Sequence, residues 1–451
     1  MSRPLRRLLP LGQPAGPGGG IAAEAAGAKA ARLAAALAAG FPVLPGWVVP
    51  AAESRRAIRA GAAAVRGGQP ATARRAALSC RPDPALAREL RAAVHRLGGR
   101  VIVRSSSPLD SDPRWAGAFS SVAEVGPEDA ETAVRSCWAA AFAVDPLARL
   151  ASCGLPLDAL KLGLLIQPEL RPTAGGTARV TPAAGPAAGT GWPGTVDVTV
   201  HGVPGHPGAL LAGWADGAAA RVRLAAPATP GTLTRPEPAA AAGPLAELLG
   251  SDLVTTVARL AAGVYRVLGD ASIEWAAEDG TVWLLQAQSA SPAPPGPVPG
   301  QAPAAGLGAG HGGPGTGSPG QVYAAREWMP LLAAAVLARG HRLDGRPAAP
   351  GQAAGRLVAC RPHDRAAPGC RDAILLVDRP VPALAPLLFA ARGVIARSGA
   401  AGAHLAEVAR SLAVPMVTGC RPELVTGPAP AGRGWLASID GGTGEVALLP
   451  A

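Results

Sequence analysis

The chain of 451 residues carries 42 Lys and Arg against 31 Asp and Glu, a formal net charge of +11, with 59 Gly, 48 Pro and only 3% aromatic residues. That length predicts two or three domains. With arginines scattered and so few rings, there is no stacking platform or basic stripe, which argues against a nucleic-acid partner and for small phosphate-bearing molecules. No apolar run approaches the ~20 residues of a membrane span, and Pro and Gly interrupt MSRPLRRLLPLGQPAGPGGG too early for a signal peptide. Residues 1–19 are therefore expected to be disordered, and the protein soluble and cytoplasmic, with no membrane partner. Cys80, Cys137, Cys153, Cys360, Cys370 and Cys420 show no CxxC spacing, so reduced thiols are expected, and Cys360, His363, Cys370 and Cys420 lack the chelating spacing of structural zinc.

From Ala22 to Ala39 the spacing predicts a helix, and GFPVLPGWVVP a Gly stop, a turn and a short strand. Arg stands almost everywhere a cation is used; the two lysines are Lys29 and Lys161. A lysine kept inside the first helix is either a solvated surface residue or a compact ammonium needed for its shape. Lys161 has no motif around it and reads as surface. After an Arg-rich helical stretch to about Leu97, RVIVRSSSPLDSDPRWAGAFSSVAEV reads as a buried strand that delivers Arg104 into a polar loop. There a guanidinium could clamp phosphate oxygens at two points, with Gly117 admitting backbone and Ser121 offering a hydroxyl; the plain alternative is an arginine that satisfies loop carbonyls.

KLGLLIQP, residues 161–168, reads as a buried strand ending in Gln167, whose amide could read an adenine edge. Residues 224–245 are low in complexity and read as a surface excursion. SIEWAAEDGTVWLLQAQ is a hairpin signal around Asp279 and Gly280. A three-residue loop would set Glu274 opposite Leu284 and bring Gln286 and Gln288 to the same face. A carboxylate and amides beside a triphosphate would make a Mg²⁺ site at Glu274 and Gln286. Residues 291–320 form a Pro/Gly/Ala linker, spanning roughly 30 Å as a flexible coil, and 323–342 a helical patch. Near the C-terminus, GVIAR and VPMVT read as strands flanking a helix whose apolar face is Leu405, Val408, Ala409 and Leu412, leaving His404, Glu407 and Ser411 on the other side. His404 follows the small-residue loop SGAAGA in the first turn, where free N–H groups and the helix dipole favour an anion; an indifferent exposed helix-start histidine fits the spacing equally.

SGAAGAH, VAR, VPMVTG and IDGGTGEVALLP together resemble the phosphohistidine swivelling domain of the family of pyruvate phosphate dikinase, phosphoenolpyruvate synthase and rifampicin phosphotransferase. GAKAARLAAALAAGFPVLPGWVVP, the VRSS strand and the 272–288 hairpin are similar to that family's ATP-grasp domain. The resemblance implies an α/β (α+β) fold with an ATP-grasp domain at 20–290, a linker with a short helical patch at 291–344, and a β/β/α swivelling domain at 345–451. It implies ATP and Mg²⁺ held by Lys29, Arg104, Gly117, Ser121, Gln167, Glu274 and Gln286. His404 and Arg104 would be catalytic, and His404 would take a phosphoryl group from ATP and pass it to a small-molecule acceptor or a separate acceptor protein. ELRPTAGGTARVTP would be a shortened hairpin. Departures are Ala403 for the hydroxyl residue before the histidine, Ser411 for the acid after Ala-Arg, Gln288 for an arginine, and a missing acid near residue 200. No dikinase barrel or large helical substrate domain separates the two parts. The alternative these departures raise is a degenerate ATP-binding or regulatory module that no longer transfers phosphoryl groups.

Overall fold

The computed structural model describes residues 7–12, 21–182, 195–225, 241–289, 336, 339–361, 368–422 and 434–450. The chain is mixed α/β and divides into two compact units. The first comprises the described residues up to 290 together with 379–389 and 399–408; the second comprises those of 291–378, 390–398 and 409–451. The expected linker and most of the 323–342 patch lie outside the described residues.

In the first unit, one antiparallel sheet is built from β1 (Leu9–Pro10), β2 (Trp47–Val49), β3 (Val101–Ser106), β4 (Ser121–Val125) and β5 (Gly163–Pro168), in the order β1-β2-β5-β3-β4. The stretch expected to be disordered thus supplies an edge strand, with Leu8 and Leu11 each 1% exposed. Two apolar anchors repay the ordering of that short segment. A second antiparallel sheet holds β6 (Ala174–Pro182), β7 (Thr195–Pro204), β8 (Ala218–Ala225), β9 (Ser272–Glu278) and β10 (Thr281–Gln288), in the order β10-β9-β6-β7-β8. β6 is one long strand between β7 and β9 rather than the expected hairpin, because its alternating apolar side (Ala174, Ala178, Val180) is needed in the core along its whole length.

The expected 22–39 helix is two helices, α1 (Ala23–Ala26) and α2 (Ala28–Ala38), broken at Gly27, whose φ is +83. A Cβ there would lie 2.1 Å from the Ser106 carbonyl oxygen, so only glycine lets the chain pass that close. The remaining helices of this part are α3 (Ala51–Arg66), α4 (Pro70–Leu78), α5 (Pro84–Arg96), α6 (Ala130–Ala140), α7 (Val144–Ser152), α8 (Gly208–Leu211), α9 (Pro244–Leu249) and α10 (Ser251–Leu268). One apolar core joins α2 and α10 to the second sheet around Leu33, Val257 and Trp275; the other joins α3, α5 and α6 to the first sheet around Leu90, Val103 and Trp138. The expected excursion at 224–245 lies mostly outside the described residues.

In the second unit an eight-stranded mixed sheet runs β11-β18-β17-β13-β14-β15-β16-β12. Its strands are β11 (His341–Asp344), β12 (Arg346–Ala349), β13 (Gln352–Ala359), β14 (Ile374–Val377), β15 (Gly393–Ala396), β16 (Met416–Thr418), β17 (Trp435–Asp440) and β18 (Glu445–Pro450). The expected helical patch ends before residue 341, where β11 starts. β13, β14, β15 and β16 pair in parallel, and β14, β15 and β16, buried along their whole length, read as near-continuous apolar runs, as parallel strands do. Helix α11 (Ala385–Leu388) falls in the first unit, and α12 (His404–Ser411) begins there with His404 as its first residue.

Candidate functional site

Within the first unit, strand alternation decides which side chains of the first sheet share a face. Ile102 and Arg104 lie two apart on β3; Gln167 is directly opposite Ile102 on β5, and Ser121 is opposite Arg104 on β4. All four therefore point to one side. Lys29 reaches the same place because the backbone of α2 is pinned to the end of β3: Ala28 N–H donates to the Ser107 carbonyl and Ala30 N–H to Ser106 Oγ, at 2.9 and 3.0 Å. Lys29 Nζ then donates to the Ser105 carbonyl at 3.0 Å.

The hairpin supplies the opposite wall, in a register other than the expected one. Thr281 pairs with Glu278, so the loop is the two residues Asp279 and Gly280, both with positive φ (+49 and +74). That is the two-residue turn an Asp-Gly pair favours. A bulge between Leu284 and Gln286 then sets Glu274 opposite Gln286, with Leu284 opposite Trp275. The bulge frees the Leu285 carbonyl to accept from Arg104 Nη1 at 2.5 Å. Arg104 Nη2 lies 3.6 Å from Glu274 Oε2.

These residues line one cavity of about 320 Å³, at the small end of the ~300–1,000 Å³ typical of ligand pockets. Lys29, Arg104, Gly117, Ser121, Gln167, Glu274, Gln286 and His404 all border it. Gln167 is 1% exposed; its amide donates to the Leu44 carbonyl at 3.0 Å, and its oxygen faces Arg104 Nη1 at 3.5 Å. One N–H of the amide is thus used by the protein backbone, and the amide oxygen faces the guanidinium. His404 enters from the loop before α12. Gly402 packs so closely that a Cβ would sit 2.6 Å from Thr177 Oγ1, and a Cβ on Gly117 (φ +67) would sit 2.8 Å from His404 Cδ2. Glu407, expected on an outward face, is 8% exposed and ion-paired with Arg179. Pairing is what permits a carboxylate to be that deeply buried.

Lys29, Asp110 and His404 keep some area open to the cavity, yet protein atoms surround them and desolvation governs their protonation. Burial lowers the pKa of His404 below its ordinary 6.5, opposed by the Glu274 carboxylate and reinforced by Lys29. The imidazole is therefore held neutral, the form that has a lone pair to give. Burial also lowers Lys29 and Arg104 and raises Asp110, with Asp110 and Lys29 each favouring the other's charge.

Sequence reasoning missed Asp110, Arg149 and Arg179. Asp110 closes a capping box, Ser107 N–H donating to its Oδ2 at 2.9 Å, and the S-x-x-D spacing was there to be read. Arg149 and Asp145 stand four apart on α7, an ordinary helix-pair signal. Nothing local marks Arg179, whose partner is 228 residues away.

Glu274 and Gln286, opposite each other across the hairpin, offer a carboxylate and an amide oxygen, the kind of oxygen donors a Mg²⁺ ion takes. The cavity lining also carries three carboxylates (Asp110, Glu169, Glu274) against Lys29 and Arg104, so a polyphosphate would need an added cation there. Among the described residues, no group of three His, Cys, Asp or Glu side chains is arranged to hold a metal by itself. Cys360 and Cys370 are buried with sulfurs 2.8 Å apart, and His363 lies outside the described residues. Among those described, no helix is long and apolar enough to cross a membrane.

A family model described as the PEP-utilising enzyme mobile domain matches residues 370–444, which contain His404 and the whole of α12. The swivelling domain of PEP-utilising enzymes is therefore present in this chain. No curated protein sequence matches. Among solved structures, aconitase X of Thermococcus kodakaraensis in its holo-form is 20% identical with a TM-score of 0.18, covering 24% of this chain and 99% of that one, a score too low to define a shared fold.

Proposed function

We propose that the chain is an ATP-dependent phosphotransferase of the dikinase type, in which residues 20–290 act as an ATP-grasp domain and His404 takes a phosphoryl group from ATP. The observation that carries this reading is that a half-buried imidazole, held neutral, borders the same cavity as Lys29, Arg104 and Glu274. Phosphoryl transfer asks little covalent chemistry of a protein; it asks for fixed positive charge on the phosphates and a nucleophile in line. Lys29 and Arg104 supply the first, and Gly117 and Ser121 let backbone and a hydroxyl approach the phosphates. Bound Mg²⁺, held by Glu274 and Gln286, would offset charge that develops on the transferring group. His404 gives its ring lone pair to phosphorus, a nitrogen–phosphorus bond forms, and the electron pair of the broken P–O bond leaves with the nucleotide. In the family resembled the products from ATP are AMP and inorganic phosphate, with water taking up the second phosphoryl group. The phosphohistidine then serves a small-molecule acceptor or a separate acceptor protein.

Incubation with β-³²P or γ-³²P ATP and Mg²⁺ tests this. Acid-labile, alkali-stable label that disappears in His404→Ala is expected; a wild-type chain that takes no label from either position overturns the reading. One observation favours the second reading, a nucleotide-binding module without transfer: Gln288, which borders the cavity, stands where the family has an arginine, and so leaves one charge fewer on the phosphates. That module would bind ATP tightly and stay unlabelled.

A further inference from the structure

We infer that Arg149 is a positioning residue for phosphoryl transfer to His404, fixing the backbone of residues 114–117 as a shelf against the imidazole. The inference rests on the reading of His404 as the phosphoryl-accepting group.

Arg149 is 0% exposed, and each of its five N–H groups is used. Nε and Nη2 donate to the two oxygens of Asp145, both at 2.9 Å. Nη1 donates to the carbonyls of Arg114 and Ala116, at 2.7 and 3.0 Å, and Nη2 also donates to the Pro382 carbonyl at 3.3 Å. The two carbonyls on Nη1 bracket Trp115, which is 2% exposed and stacked on Phe119 at 5.7 Å between ring centroids. The loop is thus held from two directions, by a guanidinium on its carbonyls and by an indole in the core. The next residue is Gly117, the one that abuts the His404 ring. Trp115, Ala116, Gly117 and Pro382 all border the cavity.

A buried ion pair is a poor device for stability, because an apolar pair of the same volume generally does as well without the cost of desolvation. What an apolar pair cannot do is fix three carbonyls at once. A lysine cannot do it either, since its ammonium is a point donor on a flexible stem while the guanidinium is a rigid fork. Arg149 also acts on the ring electrically. Among the charged groups that face His404 (Glu274, Lys29, Glu407 and Arg149), the two cations add to burial in keeping the ring neutral, and the two carboxylates oppose it. Arg104, Asp110, Glu169 and His206 border the same cavity.

The test uses the full chain with two changes. Arg149→Lys keeps the charge and loses the fork. Asp145→Leu combined with Arg149→Met removes the pair without stranding a buried carboxylate, and so keeps a folded protein to measure. Rates of ³²P labelling from ATP across pH, ATP affinity by calorimetry and an NMR titration of His404 are compared with wild type. Arg149→Lys is expected to bind ATP as wild type does and to label on the order of 10²-fold more slowly, the scale of a misplaced reactive group, with the His404 titration little changed. The double variant is expected to label as slowly, with the His404 titration moved up toward 6.5. A folded double variant that labels at the wild-type rate with the wild-type pH profile overturns the inference. If wild type itself takes no label, the phosphotransfer reading fails on its own, and the NMR comparison decides Arg149 through the backbone it holds: amide shifts of residues 114–117 identical in wild type and double variant overturn its role.

Discussion

At His404 the chemistry turns on one proton. Because burial depresses the pKa below 6.5, the folded state prefers the neutral ring, and protonation favours the unfolded chain. The contribution of His404 to stability is thus fully present above pH 6.5 and is lost as pH falls from there toward the lower folded value. Wild type compared with His404→Asn by thermal unfolding at pH 7.5 and 5.5 should show a larger loss on acidification for wild type, and an equal loss would contradict the assignment. Labelling of His404 should likewise hold to lower pH than a free histidine allows. Gly117→Ala should cut labelling on the order of 10²-fold, since the added methyl meets the ring and the residue must keep φ +67; this is read by the same ³²P assay. Lys29→Met should weaken ATP binding, measured by calorimetry, because it removes a cation that the backbone of β3 holds in place. Lys29, Arg104 and His404 were legible in the sequence because unusual residue choice or a strand-loop-helix pattern surrounds each. Arg149 was not: among so many arginines, nothing in a chain's local pattern separates a buried fork from a solvated one.

The hairpin β9–β10 was legible as an element and misread in register. Alternation of apolar and polar residues and the Asp-Gly pair announce two strands and a turn, but a bulge leaves no compositional trace, and one extra residue re-aims every side chain beyond it. The bulge is what brings Gln286 opposite Glu274 and the Leu285 carbonyl to Arg104. Trp275, the neighbour of Glu274, is 0% exposed and belongs to the core under the second sheet. Trp275→Ala should cost about 3–5 kcal/mol of stability in chemical denaturation, the range for emptying a large aromatic site. The break between α1 and α2 was invisible for a similar reason: the demand on Gly27 comes from Ser106, far along the chain, while the run of alanines on either side reads as unbroken helix.

For the whole molecule, length predicted two or three domains and the structure divides into two compact units; of the eight strands in the sheet of the second unit, β14, β15, β16 and β17 fall within the stretch similar to the mobile domain. Composition could not show that the first unit takes in two later stretches, 379–389 and 399–408, since such membership depends on contacts between residues hundreds apart. These stretches have a consequence for how the protein is made. On the ribosome, the first unit stays unfinished after residue 290 emerges and is completed only once residue 408 is out. At ~5–20 residues per second, the delay is on the order of ten seconds. During that interval the nascent chain lacks the wall formed by Pro382 and His404. Stalled nascent chains long enough to expose residue 290 but not residue 379 should therefore be cut by protease in the 114–118 loop, and chains long enough to expose residue 408 should resist.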